Sequence, residues 1–132
     1  MSLRDDLIRH EGLSLAPYED SEGVLTIGVG RNLERGISKE EALFMLDNDI
    51  VHHARELGIA FPIVHGLSQE RYEALVNMAF NLGIPRLSTF RKMWAAIQAG
   101  DFDKAADEML DSKWARQVGY RATELAETMR NG

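Results

Sequence analysis

The 132-residue sequence contains no cysteine, which excludes disulfides, cysteine-based metal sites and thiol nucleophiles. It has no run of about 18 apolar residues, so it offers no candidate for a membrane-spanning helix. Residues 1–11 mix charged and apolar side chains and lack an apolar stretch of signal-peptide length. We therefore expect no Sec export signal and no membrane insertion.

The sequence has fewer basic than acidic residues. The sequence has 15 lysines and arginines against 21 aspartates and glutamates, a formal net charge of −6. Nucleic acids bind mainly through neutralisation of their phosphates, so this balance argues against a nucleic-acid partner. Hydrophobic residues make up 45% of the chain, which is ordinary for a globular domain. A chain of this length suffices for one compact core, or for two small lobes that share a helix, but not for two independent domains.

The spacing of apolar residues predicts a mostly helical chain. Leu3, Leu7 and Ile8 predict a short amphipathic helix over 3–11. Later helices are predicted from capping residues followed by apolar stripes. They are expected to begin near Ser38, Ser68, Ser88 or Thr89, Asp101 and Tyr120.

Residues 13–30 interrupt this helical pattern. The turn-formers Asp20 and Gly23 are followed by β-branched residues, which predicts a β-hairpin. Gly28 and Gly30 are unfavourable in a plain strand and indicate a bulge or the close approach of another group. Because a hairpin is not stable alone, it must pack on helices, and the fold class is α+β, predominantly helical.

With thiols absent, carboxylates and hydroxyls are the candidates for chemistry. Glu11 ends the first predicted helix, where the partial negative charge disfavours an anion and favours a protonated general acid. Asp20 lies in a polar turn, where a carboxylate stays ionised, and Thr26 is placed to hold a water between them. Two carboxyl groups in unlike environments are what glycoside hydrolysis requires. Ordinary structural roles explain these residues as well, and spacing alone favours those roles by about four to one.

The order of motifs is more specific than the spacing of the carboxylates. The first motifs are Glu11-Gly12, Tyr18-x-Asp20-x-x-Gly23 and Thr26-Ile-Gly-Val-Gly30. Downstream segments follow in order: Asn77 to Gly83, Phe90, Ala105-Ala106, Ser112-Lys-Trp114 and Gln117-x-x-x-Arg121-Ala122. Together they resemble the phage-type lysozymes, the muramidases of glycoside hydrolase family 24, over nearly the whole chain.

The resemblance implies a single lysozyme-like domain over 1–132. It would have a small N-terminal hairpin lobe, about 12–60, and a C-terminal helical lobe, about 67–132, which includes helix 3–11. A long helix would join the two lobes. The expected substrate is the β-1,4 bond between N-acetylmuramic acid and N-acetylglucosamine in peptidoglycan. We expect a monomer without cofactor or metal.

The resemblance also assigns roles to individual residues. Glu11 would protonate the leaving oxygen, and Asp20 and Thr26 would position and activate water, with inversion at the anomeric carbon. Inversion requires a carboxyl separation of about 6.5–9.5 Å, whereas retention requires about 5–5.5 Å. The expected substrate-binding positions are Gly30, Asn32, Phe80 and Arg121. For Phe80, plain core packing is an equally open alternative.

The sequence departs from the family in several places. The segment 31–37 is short, so a stretch of sheet or loop is expected to be missing from the first lobe. Arg31 stands where a well-known member has a histidine paired with an aspartate, and we predict an Arg31–Asp49 ion pair instead. Met93 and Glu108 occupy cleft positions that carry small polar or amide side chains in that member.

The function expected from the resemblance is that of a phage or prophage endolysin. It would accumulate in the host bacterial cytoplasm and reach the wall after a holin permeabilises the membrane. The net charge of −6 favours Gram-negative peptidoglycan, since teichoic acids would repel the protein. The alternatives are a virion-associated or bacterial muramidase, an inactive peptidoglycan-binding module of the same fold, and a helical partner-binding protein.

Overall fold

The computed structural model describes residues 2–132. Helix α1 (Leu3–Glu11) is followed by strands β1 (Ser14–Glu19), β2 (Leu25–Gly28) and β3 (Arg31–Asn32). The remaining helices are α2 (Lys39–Ala60), α3 (Gln69–Leu82), α4 (Ile84–Leu87), α5 (Arg91–Gln98), α6 (Phe102–Leu110), α7 (Lys113–Val118) and α8 (Tyr120–Asn131). Short 3-10 turns cover Leu33–Arg35 and Pro62–Gly66. The predicted α+β, predominantly helical class is confirmed.

The chain divides into two compact units, Met1–Met45 and Leu46–Gly132, and the boundary falls within α2. The first unit contains α1, the sheet and the beginning of α2. The second contains the rest of α2 and all later helices. The lobes expected from the resemblance, about 12–60 and 67–132, stay a prediction.

The sheet of the first unit is antiparallel with the order β1-β2-β3. Thr26 lies at its centre, opposite Tyr18 on β1 and Asn32 on β3. The register shifts between Ser14 and Tyr18, which marks an irregularity in β1. The hairpin was predicted, but β3 was not, because a two-residue strand leaves no alternating pattern in the sequence.

The hydrophobic core described by the structure lies in the second unit. Its largest fully buried side chains include four methionines, Met78, Met93, Met109 and Met129, each at most 1% exposed. Methionine is flexible and fills irregular gaps between helices, which suits a core built from short helices. Phe61 stacks on Trp94 with ring centroids 3.8 Å apart. The indole N–H of Trp94 donates to the carbonyl of Leu87 at 3.0 Å.

Arg71 on α3 secures the end of the last helix. Its guanidinium donates to the carbonyls of Met129 at 2.7 Å and Arg130 at 3.0 Å. Those carbonyls belong to the last turn of α8, where no following N–H group of the helix is available to bond them. The same guanidinium lies 3.6 Å from the centre of the Phe102 ring. One side chain therefore joins α3, α6 and α8.

Two short helices were not predicted. Helix α4 contains Pro85 near its start, and helix α7 begins after Ser112, whose hydroxyl accepts from the amide of Ala115 at 3.0 Å. Both are too short to show a helical period in the sequence. Across residues 2–132, none of the helices combines the length and the apolar character needed to cross a bilayer.

Candidate active site

Glu11 is placed by the end of α1. Ser2 caps the start of this helix, its hydroxyl accepting from the amide of Asp5 at 3.1 Å. At the other end Gly12 adopts φ +80° and donates its N–H to the carbonyl of Ile8 at 2.8 Å. The helix therefore stops directly after Glu11, whose exposed carboxyl leaves the helix at its last residue.

The carboxyl of Glu11 lies against the backbone of Gly30. A Cβ built on Gly30 would lie 2.8 Å from Oε2, 3.0 Å from Cδ and 3.2 Å from Cγ of Glu11. Gly30 also adopts φ +66°, a left-handed conformation that glycine takes without strain. The close approach predicted from the glycine pattern is confirmed at Gly30, whereas a Cβ on Gly28 would meet nothing within 4 Å.

Asp20 is fixed by the hairpin turn. Its Oδ1 accepts from the amides of Glu22 at 2.8 Å and Val24 at 2.9 Å. The amide of Gly23 donates to the Asp20 carbonyl at 3.0 Å, which closes the turn. Two backbone donors on one carboxylate oxygen hold the side chain in place and leave Oδ2 available to a ligand.

Within residues 2–132, Thr26 is the one polar residue that is buried, with 4% exposure. Its hydroxyl donates to the carbonyl of Val24 at 2.8 Å. Val24 therefore bonds both catalytic candidates, through its N–H to Asp20 and through its carbonyl to Thr26. The hydroxyl proton of Thr26 is committed, so its oxygen can serve another group only as an acceptor.

Asn32 follows in β3, where its backbone pairs with Thr26. Its side-chain oxygen accepts from the amide of Glu34 at 2.9 Å and caps the 3-10 turn that follows. Glu11, Asp20, Thr26, Gly30 and Asn32 all lie within the unit Met1–Met45. All the candidate catalytic and substrate-binding residues from the first part of the sequence therefore lie on or next to the small sheet and α1.

The prediction that Arg31 pairs with Asp49 is wrong. Arg31 takes Glu41 as its partner, with 3.0 Å from Nη1 to Oε2. The capping box of α2 explains this choice: Glu41 Oε1 accepts from the Ser38 amide at 3.0 Å, which holds the carboxylate at the start of the helix. The sequence revealed the capping box, but its glutamate was not recognised as a partner for Arg31.

The Arg31–Glu41 pair gives the stability of the fold a small dependence on acid pH. The hydrogen bond from Arg31, followed by that from the Ser38 backbone, lowers the pKa of Glu41 from 4.5 to about 2. A carboxyl whose pKa is lower in the folded state stabilises the fold above its unfolded pKa, and this contribution disappears as pH falls from about 4.5 towards 2. We expect the difference in unfolding free energy between the wild type and Glu41→Gln to shrink between pH 6 and pH 3, measured by urea denaturation. A difference that stays constant over this range would contradict the assignment.

Phe80 and Arg121 lie in the second unit, on the wall of one hollow of about 550 Å³. Phe80 is 38% exposed, and its ring lies 5.1 Å from that of His53. Arg121 donates from Nε and Nη2 to the side-chain oxygen of Asn77, at 2.9 and 2.6 Å. Phe80 is therefore not part of the buried core, and Arg121 is held in a fixed orientation by Asn77, a partner that the sequence did not predict.

A second hollow of about 480 Å³ contains Met93 and Glu108, two residues that were expected to occupy cleft positions. Met93, 1% exposed, and the partly buried Glu108 line it beside Trp114. Basic side chains on its wall are Arg86, Arg91, Lys92 and Lys113. They come from separate segments, so only the packing of the helices brings them together, and the sequence did not predict this grouping.

Histidines and acids do not form a metal-ligand set within residues 2–132. His52 pairs with Glu56 on α2, with 2.9 Å from Nε2 to Oε1. His53 Nδ1 lies 3.9 Å from the same oxygen, which is beyond hydrogen-bond distance, and it is buried without a hydrogen-bond partner.

Comparison with known proteins decides the family. The model of the phage lysozyme family matches residues 8–130, which is nearly the entire chain. The chain belongs to the phage lysozyme family. Membership places it among the glycoside hydrolases of lysozyme type and confirms the resemblance read from the motifs.

Individual relatives differ in how much of their length the chain spans. It is 29% identical over 161 aligned residues to the pre-baseplate central spike protein Gp5 of Enterobacteria phage T4, covering all of this chain but only 28% of that protein. It is 27% identical to the probable T4-type lysozyme 2 of Dictyostelium discoideum, covering 99% of this chain and 95% of the relative. Over 124 residues it is 31% identical to the SAR-endolysin of Escherichia phage Mu, covering 89% and 68% respectively.

Proposed function

We propose that this protein is an endolysin that degrades peptidoglycan by hydrolysing the β-1,4 bond between N-acetylmuramic acid and N-acetylglucosamine. The observation that carries the proposal is the Glu11 carboxyl at the end of α1, lying against the backbone of Gly30. In the phage lysozyme family this is the position of the catalytic glutamate expected from the motif Glu11-Gly12.

The reaction assigns a different task to each polar group. Glu11 acts as general acid and protonates the leaving oxygen, while Asp20 and Thr26 hold the attacking water. The backbone donors on Asp20 Oδ1 hold the side chain in place and leave Oδ2 to accept a proton from that water. We propose that the reaction proceeds with inversion. Gly30, Asn32, Phe80 and Arg121 are the proposed substrate-binding positions.

Gly30→Ala tests whether the contact with Gly30 sets the position of the Glu11 carboxyl. The new Cβ would overlap the Glu11 carboxyl and force it to move, and a displacement of about 1 Å at a reacting group costs about 10²-fold in rate. We expect hydrolysis of soluble peptidoglycan fragments to fall at least about tenfold. Gly100→Ala is the control, because Gly100 has a similar φ of +72° but a Cβ there meets nothing within 4 Å. Equal activity of the two variants would contradict contact between Gly30 and Glu11.

The site of action is proposed on the same basis. The protein accumulates in the host cytoplasm as a monomer and acts on the wall after a holin has permeabilised the membrane. The net charge of −6 favours a Gram-negative wall, which lacks the anionic teichoic acids. The similarity to a phage spike protein keeps a virion-associated muramidase as the second candidate within the same activity.

Clearing of purified sacculi tests the function. We expect the wild type to clear Gram-negative sacculi, faster than walls rich in teichoic acid, and to release reducing N-acetylmuramic acid ends identified by mass spectrometry. Clearing with other new ends would contradict the bond assignment. Binding to sacculi without clearing would instead identify an inactive peptidoglycan-binding module.

A further inference from the structure

Gly30 is held by a weak element. It directly precedes β3, which consists only of Arg31–Asn32 and pairs with β2 at the edge of the sheet. Strands this short contribute few backbone hydrogen bonds and are not stable alone. The backbone that accommodates the Glu11 carboxyl therefore needs a further anchor if the carboxyl is to keep one position.

The side chain of Arg31 supplies that anchor. Its Nη1 lies 3.1 Å from Glu41 Oε1 and 3.0 Å from Glu41 Oε2, and donates to the Gly36 carbonyl at 3.4 Å. Glu41 is itself held on Ser38 by a reciprocal pair of bonds of 3.0 and 3.1 Å. The Arg31–Glu41 pair thus ties β3 to the first turn of α2, where the helix backbone is rigid.

We propose that Arg31 is a positioning residue: by pairing with Glu41 it fixes the backbone of residues 30–31 and thereby the place of the Glu11 carboxyl. This inference rests on the proposed function, because it assumes that Glu11 is the general acid. Arg31 is not a catalytic residue, since it acts through Gly30 and contacts no reacting atom.

Because the Arg31–Glu41 pair is partly exposed, a positioning role can be distinguished from a purely stabilising role by comparing rate with stability. The side chains of Arg31 and Glu41 are 30% and 43% exposed, and ion pairs this open contribute little to stability. A small displacement of a general acid, in contrast, lowers the rate by a large factor. Loss of the pair is therefore expected to lower kcat by a large factor and to leave the melting temperature nearly unchanged.

The test is a double-mutant cycle on kcat with soluble peptidoglycan fragments as substrate. We expect Arg31→Met to lower kcat about tenfold while KM stays within about twofold. Glu41→Gln removes the charge but keeps an oxygen for the Ser38 amide, so its kcat should fall less. In the Glu41→Gln background, the effect of Arg31→Met should shrink, because the two residues act through one contact. Arg31→Lys should restore part of the lost kcat.

The matched control is Arg35→Met, which removes an exposed cation from the neighbouring 3-10 turn. Its kcat should equal that of the wild type. The ¹³C resonance of the Glu11 carboxyl should shift in Arg31→Met and stay in place in Arg35→Met. A structural role alone would not move this signal at temperatures well below unfolding.

The outcomes distinguish this inference from the proposed function. Arg31→Met with wild-type kcat, beside an inactive Glu11→Gln, would overturn the positioning role and leave the function intact. An active Glu11→Gln would overturn the function itself. If Arg31→Met does not fold, Arg31→Lys and Glu41→Gln decide, and wild-type kcat in both would overturn the inference.

Discussion

Glu11→Gln is expected to abolish turnover of peptidoglycan while the protein stays folded. Removal of a general acid lowers the rate by about 10²–10⁴-fold. Glutamine has nearly the same shape as glutamate, so the contact with Gly30 is kept, and the exposed side chain leaves no buried group unsatisfied. The melting temperature should equal or slightly exceed that of the wild type, because an anion at a helix C-terminus is unfavourable.

The measurement is release of reducing ends, with circular dichroism as the check on folding. Glu40→Gln is the matched control, since it makes the same change at an exposed position near the start of α2. We expect this control to retain full activity. Wild-type turnover by Glu11→Gln would show that another group protonates the leaving oxygen.

Trp114→Ala is expected to have the largest effect on stability. The indole is 3% exposed, its N–H donates to the side-chain oxygen of Asn81 at 2.7 Å, and its ring meets Phe90 edge-on at 6.1 Å. Truncation of a buried aromatic residue to alanine costs about 3–5 kcal/mol. Since a typical domain has only about 5–15 kcal/mol in total, we expect the melting temperature to fall by about 10–20 °C.

Two further variants divide this effect into its parts. Trp114→Phe keeps an aromatic ring but loses the hydrogen bond to Asn81, and its unfolding free energy should fall by much less than that of Trp114→Ala. Tyr120→Ala removes an aromatic side chain that is 78% exposed and should leave the melting temperature nearly unchanged. A similar loss in all three variants would contradict the expectation that burial of the Trp114 indole sets the size of the effect.

The helices and the hairpin could be predicted because their limits are set by neighbouring residues. Ser68 accepts from the amide of Arg71, and Asp101 from that of Lys104, so each cap is a local contact visible as a motif. Gly12 ends α1 in the same local way and places Glu11. The catalytic candidates were found because their motifs lie within the first part of the chain and match a known family.

Other features depend on contacts between distant residues and could not be predicted. Arg71 reaches carbonyls at the end of α8, 58 and 59 residues away, and no local pattern reports such a pairing. The partner of Arg31 was assigned from a family position, although the chain offers Glu41, a carboxylate that is nearer to Arg31 in the sequence. The glycine pattern indicated a close approach at Gly28 or Gly30, but only the three-dimensional structure identified Glu11 as the approaching group and Gly30 as the position.

Oxidation of the buried methionines of the second unit reports how often the core unfolds transiently. Peroxide oxidises a methionine only when it reaches the sulfur, and sulfoxide is too polar for a packed core. Met45, which belongs to the first unit, is 53% exposed and should be oxidised without any unfolding. The four methionines at no more than 1% exposure should react only through transient unfolding. The ratio of the two oxidation rates, read by peptide mass spectrometry, therefore measures how often the helical core opens, and oxidative damage during storage should follow the stability of that core.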